Sequence, residues 1–149
     1  MTDAVYWDTS ALLKLYAPEA DSSDYFRLLI AQPEDIAICF LHRVELYYAL
    51  VGKQSRGEIA AGSAQQLFHL FEKHLAAGRY YQIPWGEDVA NGARELLDES
   101  RGQVPPVPLR SRDGLHLGAL SAAGIRSVVT ADARMRDAAQ AMSIHVVVP

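Results

Sequence analysis

Three acidic side chains, Asp8, Glu45 and Asp132, follow or lie near the junction between a strand-like apolar run and a helical one, and a fourth, Asp113, opens the helix entered from a proline-rich loop. If they converge, each pair about 5 Å apart repels by roughly 3 kcal/mol at an effective dielectric of 20. A divalent cation would remove that cost. All-oxygen ligands favour Mg²⁺ or Mn²⁺, and no Cys or His spacing typical of zinc is present. His69, Glu72 and His74 lack the four-residue histidine spacing of helical zinc sites and read as a solvated helix face. A carboxylate-held cation would lower the pKa of a water, align it with a phosphodiester and neutralise the scissile group, and a second ion could stabilise the leaving oxygen. Asp8, Asp113 and Asp132 are expected to contact metal directly or through water. Glu45 is expected either as a ligand or as the acceptor orienting the attacking water. Ser10 and Thr130 are turn or cap residues close enough in sequence to join this network. Lys14, Arg43, Arg110 and Arg112 are the basic residues placed to meet phosphate. His116, three residues after Asp113, reads as a packing residue or local hydrogen-bond partner.

The elements that must position these groups alternate along the chain. Ala4 to Trp7 reads as a strand, followed by a helix carrying Ala11, Leu12, Leu13 and Leu15, capped by Thr9 or Ser10 and stopped by Pro18. A helix over about Ser22 to Ala31 leads to a buried strand, Ile36 to Phe40. Helices follow from His42 to about Lys53 and after Gly57, then a strand from Tyr80 to Ile83 and a helix from Val89 to Leu97. Pro105, Pro106 and Pro108 make Gly102 to Arg110 an extended loop. Beyond it come a helix (Ser111 to Ala123), a strand (Ser127 to Thr130), a helix (Asp132 to Met142) and a strand (Ile144 to Val148). Such alternation predicts a parallel sheet with helices on both faces, whose sites form beyond the carboxyl ends of the strands.

The chain has 149 residues, half of them apolar, a length that suits one domain over residues 1–149 with a core built without staples. With 18 acidic and 14 basic residues, the formal net charge is −4; setting the four acids aside leaves 14 against 14, so the excess is numerically the pocket. Metal should therefore bind before any phosphate ligand. Basic residues form no block of the kind used by nucleic-acid coats or arms. Cys39 is the single cysteine and lies in the apolar run from Ile36 to Leu41, as expected of an inert core thiol in a reducing compartment. The chain lacks an apolar run near the ~18 residues of a membrane span, and Met1-Thr2-Asp3 is not a signal-peptide opening, so a cytoplasmic protein without a membrane partner is expected.

The segments Asp8-Thr9-Ser10-Ala11-Leu12-Leu13-Lys14-Leu15-Tyr16, Val44-Glu45-Leu46, Leu109-Arg110-Ser111-Arg112-Asp113-Gly114-Leu115-His116-Leu117 and Val129-Thr130-Ala131-Asp132 resemble the successive signatures of the PIN domain. The resemblance spans essentially the whole chain and is greatest to stand-alone VapC-type toxins. It implies an α/β/α sandwich with a central parallel sheet and Mg²⁺- or Mn²⁺-dependent endoribonuclease activity. Asp8, Glu45, Asp113 and Asp132 match the family's acidic positions, and Ser10 and Thr130 its hydroxyls. It also implies an RNA substrate, a cognate VapB-type antitoxin and a homodimer, to which Tyr47, Tyr48, Leu50 and Val51 are the residues that could extend. Gly114 stands where the family commonly has Ala. Met135 stands where a further acid sometimes occurs, and Asp137 would point away from Asp132.

The alternative within this fold is a catalytically silent RNA-binding or adaptor subunit, against which the intact acidic set argues. A receiver-like phospho-acceptor would want an aspartate ending the third strand and a lysine after the last, where Trp85-Gly86 and Val148-Pro149 stand. A haloacid-dehalogenase-type phosphatase would want an aspartate at Ser10. No exposed aromatic platform for stacking bases is legible in the sequence.

Overall fold

The computed structural model describes residues 3–149; the Met1-Thr2 part of the N-terminal reading lies outside them. The chain runs β1 (Ala4–Trp7), α1 (Thr9–Leu13), α2 (Ser22–Ala31), β2 (Asp35–Ile38), α3 (Phe40–Ser55), α4 (Ser63–Ala76), β3 (Tyr80–Gln82), α5 (Glu87–Gly102), α6 (Ser111–Ala122), β4 (Ser127–Val129), α7 (Ala133–Ala141) and β5 (His145–Val147). All strand pairings are parallel, and the sheet order is β3-β2-β1-β4-β5.

The central strand β1 explains the two layers of helices. Its side chains alternate between faces: Ala4 and Tyr6 join a core with Leu117, Leu120 and Met135, while Val5 and Trp7 join one with Leu12, Leu46, Leu50 and Phe71. Both faces are therefore apolar and both are covered, as an all-parallel sheet requires. From β1 the chain builds outward through β2 and β3, then returns to add β4 and β5 on the other side. The carboxyl ends of β1 and β4 thus flank a topological switch point, where a crevice opens.

Several boundaries differ from the sequence reading, each for a local reason. Asp8 caps α1, accepting from Ala11 N at 3.0 Å, so Thr9 and Ser10 are already helical. Strand β2 stops at Ile38 because Cys39 becomes the N-cap of α3, its N–H donating to His42 Nδ1 at 3.0 Å; Phe40 therefore opens a helix. Asp132 is the cap of α7 and lies outside its body. Helix α1 ends at Leu13, well before Pro18. His74 is not a solvated residue, since its Nδ1 meets Tyr16 Oη at 2.6 Å.

Candidate metal centre

The turn after β1 and the turn after β4 are stitched together through Asp8. Its Oδ1 accepts from Ser10 Oγ at 2.6 Å and its Oδ2 from Thr130 Oγ1 at 2.5 Å. The same hydroxyls accept backbone N–H groups, Ser10 Oγ from Ala131 at 2.9 Å and Thr130 Oγ1 from Asp132 at 3.0 Å. Ser10 and Thr130 are therefore the clamp that fixes Asp8 and Asp132 relative to one another. Asp132 accepts from Arg134 N at 2.9 Å, and this cap together with Arg110 holds its carboxyl below the usual range, although burial works against that.

Asp113 lies in the first turn of α6 and is 1% exposed. Arg110 reaches both its oxygens, Nε to Oδ2 at 2.8 Å and Nη2 to Oδ1 at 3.0 Å, and the same Nη2 donates to Asp132 Oδ2 at 3.0 Å. One guanidinium thus bridges two of the four acids. Glu45, on α3, accepts from Thr9 Oγ1 at 2.7 Å and His116 Nε2 at 2.5 Å through Oε1, and its Oε2 pairs with Arg112 Nε at 2.5 Å. Burial opposes its ionisation, but His116, Thr9 and Arg112 outweigh burial and bring its pKa down to about 2. Beside it an open groove of about 570 Å³ is lined by Thr9, Ser10, Leu13, Val44, Glu45, Tyr48, Ala49 and Arg112.

All four acids foreseen from the sequence thus belong to one connected network, through Arg110, the Ser10–Thr130 clamp, and Thr9 next to Asp8. Two guanidinium groups, Arg110 and Arg112, sit on its carboxylates. The oxygen-only donor set fits a hard divalent ion. Of the foreseen basic residues, Arg110 and Arg112 are in the cluster. Lys14 is elsewhere, paired with Glu19 at 2.5 Å and Asp21 at 2.7 Å, and Arg43 donates to Gln82 at 3.0 Å. Met135 is 1% exposed and part of the core, so no ligand comes from that position.

Cys39, His42 and His116 also converge, with ligand atoms within 4.8 Å of one another, all buried. Their lone pairs are taken. His42 accepts from Cys39 N and its Nε2 meets Trp7 O at 2.6 Å; His116 Nδ1 meets Tyr6 Oη and its Nε2 meets Glu45, both at 2.5 Å. This is a hydrogen-bonded core cluster and no metal cage. Burial opposes ionisation of the Cys39 thiol, while His116, His42 and Tyr6 pull it down to about 6; at 3% exposure no electrophile reaches it. Sequence reading missed Thr9 and Tyr6 as partners and the reach of His116 to Glu45; the spacing of His116 from Asp113, one turn along the buried face of α6, was the available signal. It also missed the exposed rings of Phe40 and Trp85, whose centroids lie 6.0 Å apart beyond the carboxyl ends of β2 and β3.

A profile of the PIN domain matches residues 5–141. The chain belongs to the PIN-domain family. It is 30% identical to Ribonuclease VapC46 of Mycobacterium tuberculosis over 149 residues, covering 98% of each chain, which makes it a VapC-type member. Among solved structures, the VapBC2 complex of Rickettsia felis bound to a promoter DNA fragment aligns with a TM-score of 0.65 at 16% identity, over 97% of both chains. VapC20 of Mycobacterium tuberculosis, described as a Sarcin-Ricin loop cleaving toxin, aligns with a TM-score of 0.65 at 16% identity, over 97% of this chain and 99% of its own. These two likenesses confirm the PIN fold.

Proposed function

We propose that this PIN-domain protein, a single domain over residues 1–149, is a Mg²⁺- or Mn²⁺-dependent endoribonuclease and the toxin of a toxin-antitoxin pair. The observation that carries the reading is the hydrogen-bonded network that links Asp8, Asp132 and Asp113 beside the switch point, with Glu45 joined to it through Thr9, in a chain related over its full length to a named ribonuclease. Asp8, Asp113 and Asp132, with Glu45, would hold the cation, which supplies Lewis acidity toward water and phosphodiester oxygens. Asp8 and Asp132 are fixed for this by the Ser10–Thr130 clamp. Glu45, ionised at neutral pH, is an acceptor able to orient a water. Arg110 and Arg112 are the nearest cationic groups for an incoming phosphate, and Phe40 with Trp85 offers a stacking surface at the same sheet edge. A VapB-type antitoxin as partner is supported by the VapBC complex that shares the fold.

The test is cleavage of mixed single-stranded RNAs by purified, antitoxin-free protein in Mn²⁺ or Mg²⁺, with chelator and Asp113→Asn controls. Asp113→Asn keeps shape while removing charge, so cleavage should fall by at least 10²-fold with thermal unfolding unchanged within a few degrees, and chelator should abolish it. Persistent cleavage in either control sinks the assignment. No cleavage under any condition would favour the silent RNA-binding subunit.

A further inference from the structure

His116 is a fully covered polar side chain whose two ring nitrogens face in opposite directions, one into the core and one into the acidic pocket. It is 1% exposed, and Tyr6, which meets its Nδ1 at 2.5 Å, is 0% exposed. Its Nε2 meets Glu45 Oε1 at 2.5 Å. A ring so placed has few degrees of freedom: Tyr6 Oη fixes one nitrogen, His42 packs edge-on with centroids 5.2 Å apart, and α6 fixes the backbone. Tyr6 itself is held in the central strand and meets Cys39 Sγ at 3.2 Å.

We infer that His116 is a positioning residue for Glu45, fixing Oε1 together with Thr9 so that Oε2, now paired with the exposed Arg112, is the oxygen that can exchange this partner for a bound divalent cation. The inference rests on the metal-centre reading above. Glu45 comes from the second turn of α3, away from the turns that carry Asp8 and Asp132, and three groups order it there, Thr9 and His116 on Oε1 and Arg112 on Oε2. A long, rotamer-rich side chain reaching across would otherwise lose ordering entropy each time it engaged. The direction of the bond does not depend on the ring's proton count. As the neutral Nε2–H tautomer, His116 accepts from Tyr6 O–H and donates to Glu45; as the imidazolium, it donates from both nitrogens, and Tyr6 can pass its own hydrogen toward Cys39 Sγ. In both states an N–H faces the carboxylate, as in the outer-sphere partners that orient metal ligands elsewhere.

The test compares His116→Gln and His116→Asn with wild type, using Mn²⁺ binding followed by electron paramagnetic resonance and thermal unfolding in chelator. Gln extends an amide N–H to about the position of Nε2 and keeps the donor to Glu45; Asn is too short to reach. Mn²⁺ affinity should fall about 10- to 100-fold in His116→Asn and stay within about 3-fold in His116→Gln, with similar unfolding temperatures for the two variants. A structural role alone would move unfolding and leave the affinities of the two variants alike. Where neither variant folds, the ¹⁵N resonance of His116 Nε2 in metal-free Glu45→Gln replaces them: it should shift from wild type, and an unchanged resonance overturns the inference. Equal Mn²⁺ affinity in His116→Asn and wild type overturns the role of His116 alone. Failure of wild type to bind Mn²⁺ overturns the metal-centre reading and this inference with it.

Discussion

At the scale of single residues, the pocket is a set of carboxylates held by overlapping devices, with Asp8 and Asp132 both capping helices and Arg110 shared by Asp113 and Asp132. Asp8 uses neighbouring hydroxyls, Asp132 a helix N-terminus, Asp113 the fork of Arg110, and Glu45 an imidazole, a hydroxyl and a second guanidinium. Glu45 has a pH signature. Its folded pKa, about 2, lies below its ordinary value of 4.5, so the ionised form is favoured by folding. Its stabilising contribution is complete above the ordinary value and is lost as pH falls through that window toward 2. Thermal unfolding of the metal-free protein should therefore show a drop across this window that is flattened in Glu45→Gln. His116 runs the other way: despite burial, Cys39 and Glu45 raise its pKa from 6.5 to about 9, so its contribution is complete below 6.5 and lost as pH rises through 9. The Met135 position illustrates the opposite limit, a place where a further acid would be buried among apolar neighbours without a partner.

At the scale of elements, the placement of Asp113 and His116 depends on how closely α6 lies on α5. A Cβ at Gly118 would come within 2.8 Å of both Ala93 N and Val89 O, backbone atoms that cannot step aside, and Gly92 faces the same crossing. Gly118→Ala should destabilise the fold by about 1–2 kcal/mol, the strain of overpacking exceeding alanine's gain in helix propensity. Chemical denaturation measures this, and a stabilised variant would refute the close crossing. Gly114 differs: its Cβ would meet only ordinary contacts, the nearest Ala93 O at 3.6 Å, so the alanine common in the family fits here. The tyrosine-rich face of α3 divides similarly, with Leu50 fully buried and Tyr48 75% exposed. Tyr48, at the groove beside Glu45, and Tyr47, 38% exposed against Phe68, are the tyrosines of that stripe at the surface, and the homodimer expected from the sequence is a proposal that rests on them.

At the scale of the whole molecule, charge decides the order of binding. The formal net charge is −4, and within the pocket Arg110 and Arg112 offset part of the charge of the four acids, so the pocket itself carries less than the sequence count suggests. A non-cleavable phosphodiester ligand should bind at least 10-fold more tightly in Mn²⁺ than in chelator, since a bound cation cancels the negative charge that the four acids keep in excess of Arg110 and Arg112; equal affinity measured by fluorescence anisotropy would contradict this. Among the described residues no helix is long and apolar enough to cross a membrane.

The alternation of strands and helices, the four acids and the two hydroxyls were legible in the sequence, because strand ends in a parallel sheet fall on one edge and polar residues after apolar runs mark that edge. Local chemistry also announced the proline-rich loop before α6. What only the tertiary structure decided was pairing. That Arg110 bridges Asp113 and Asp132 while Lys14 turns away to Glu19 follows from how long side chains find partners across elements, and their reach leaves no periodic trace. Strand order, the close α5–α6 crossing at Gly118, and the contact of Tyr6, His116 and Glu45 across 110 and 71 residues of sequence are of the same kind. They arise from packing the two faces of β1, where alternate side chains of one strand are sent into separate cores.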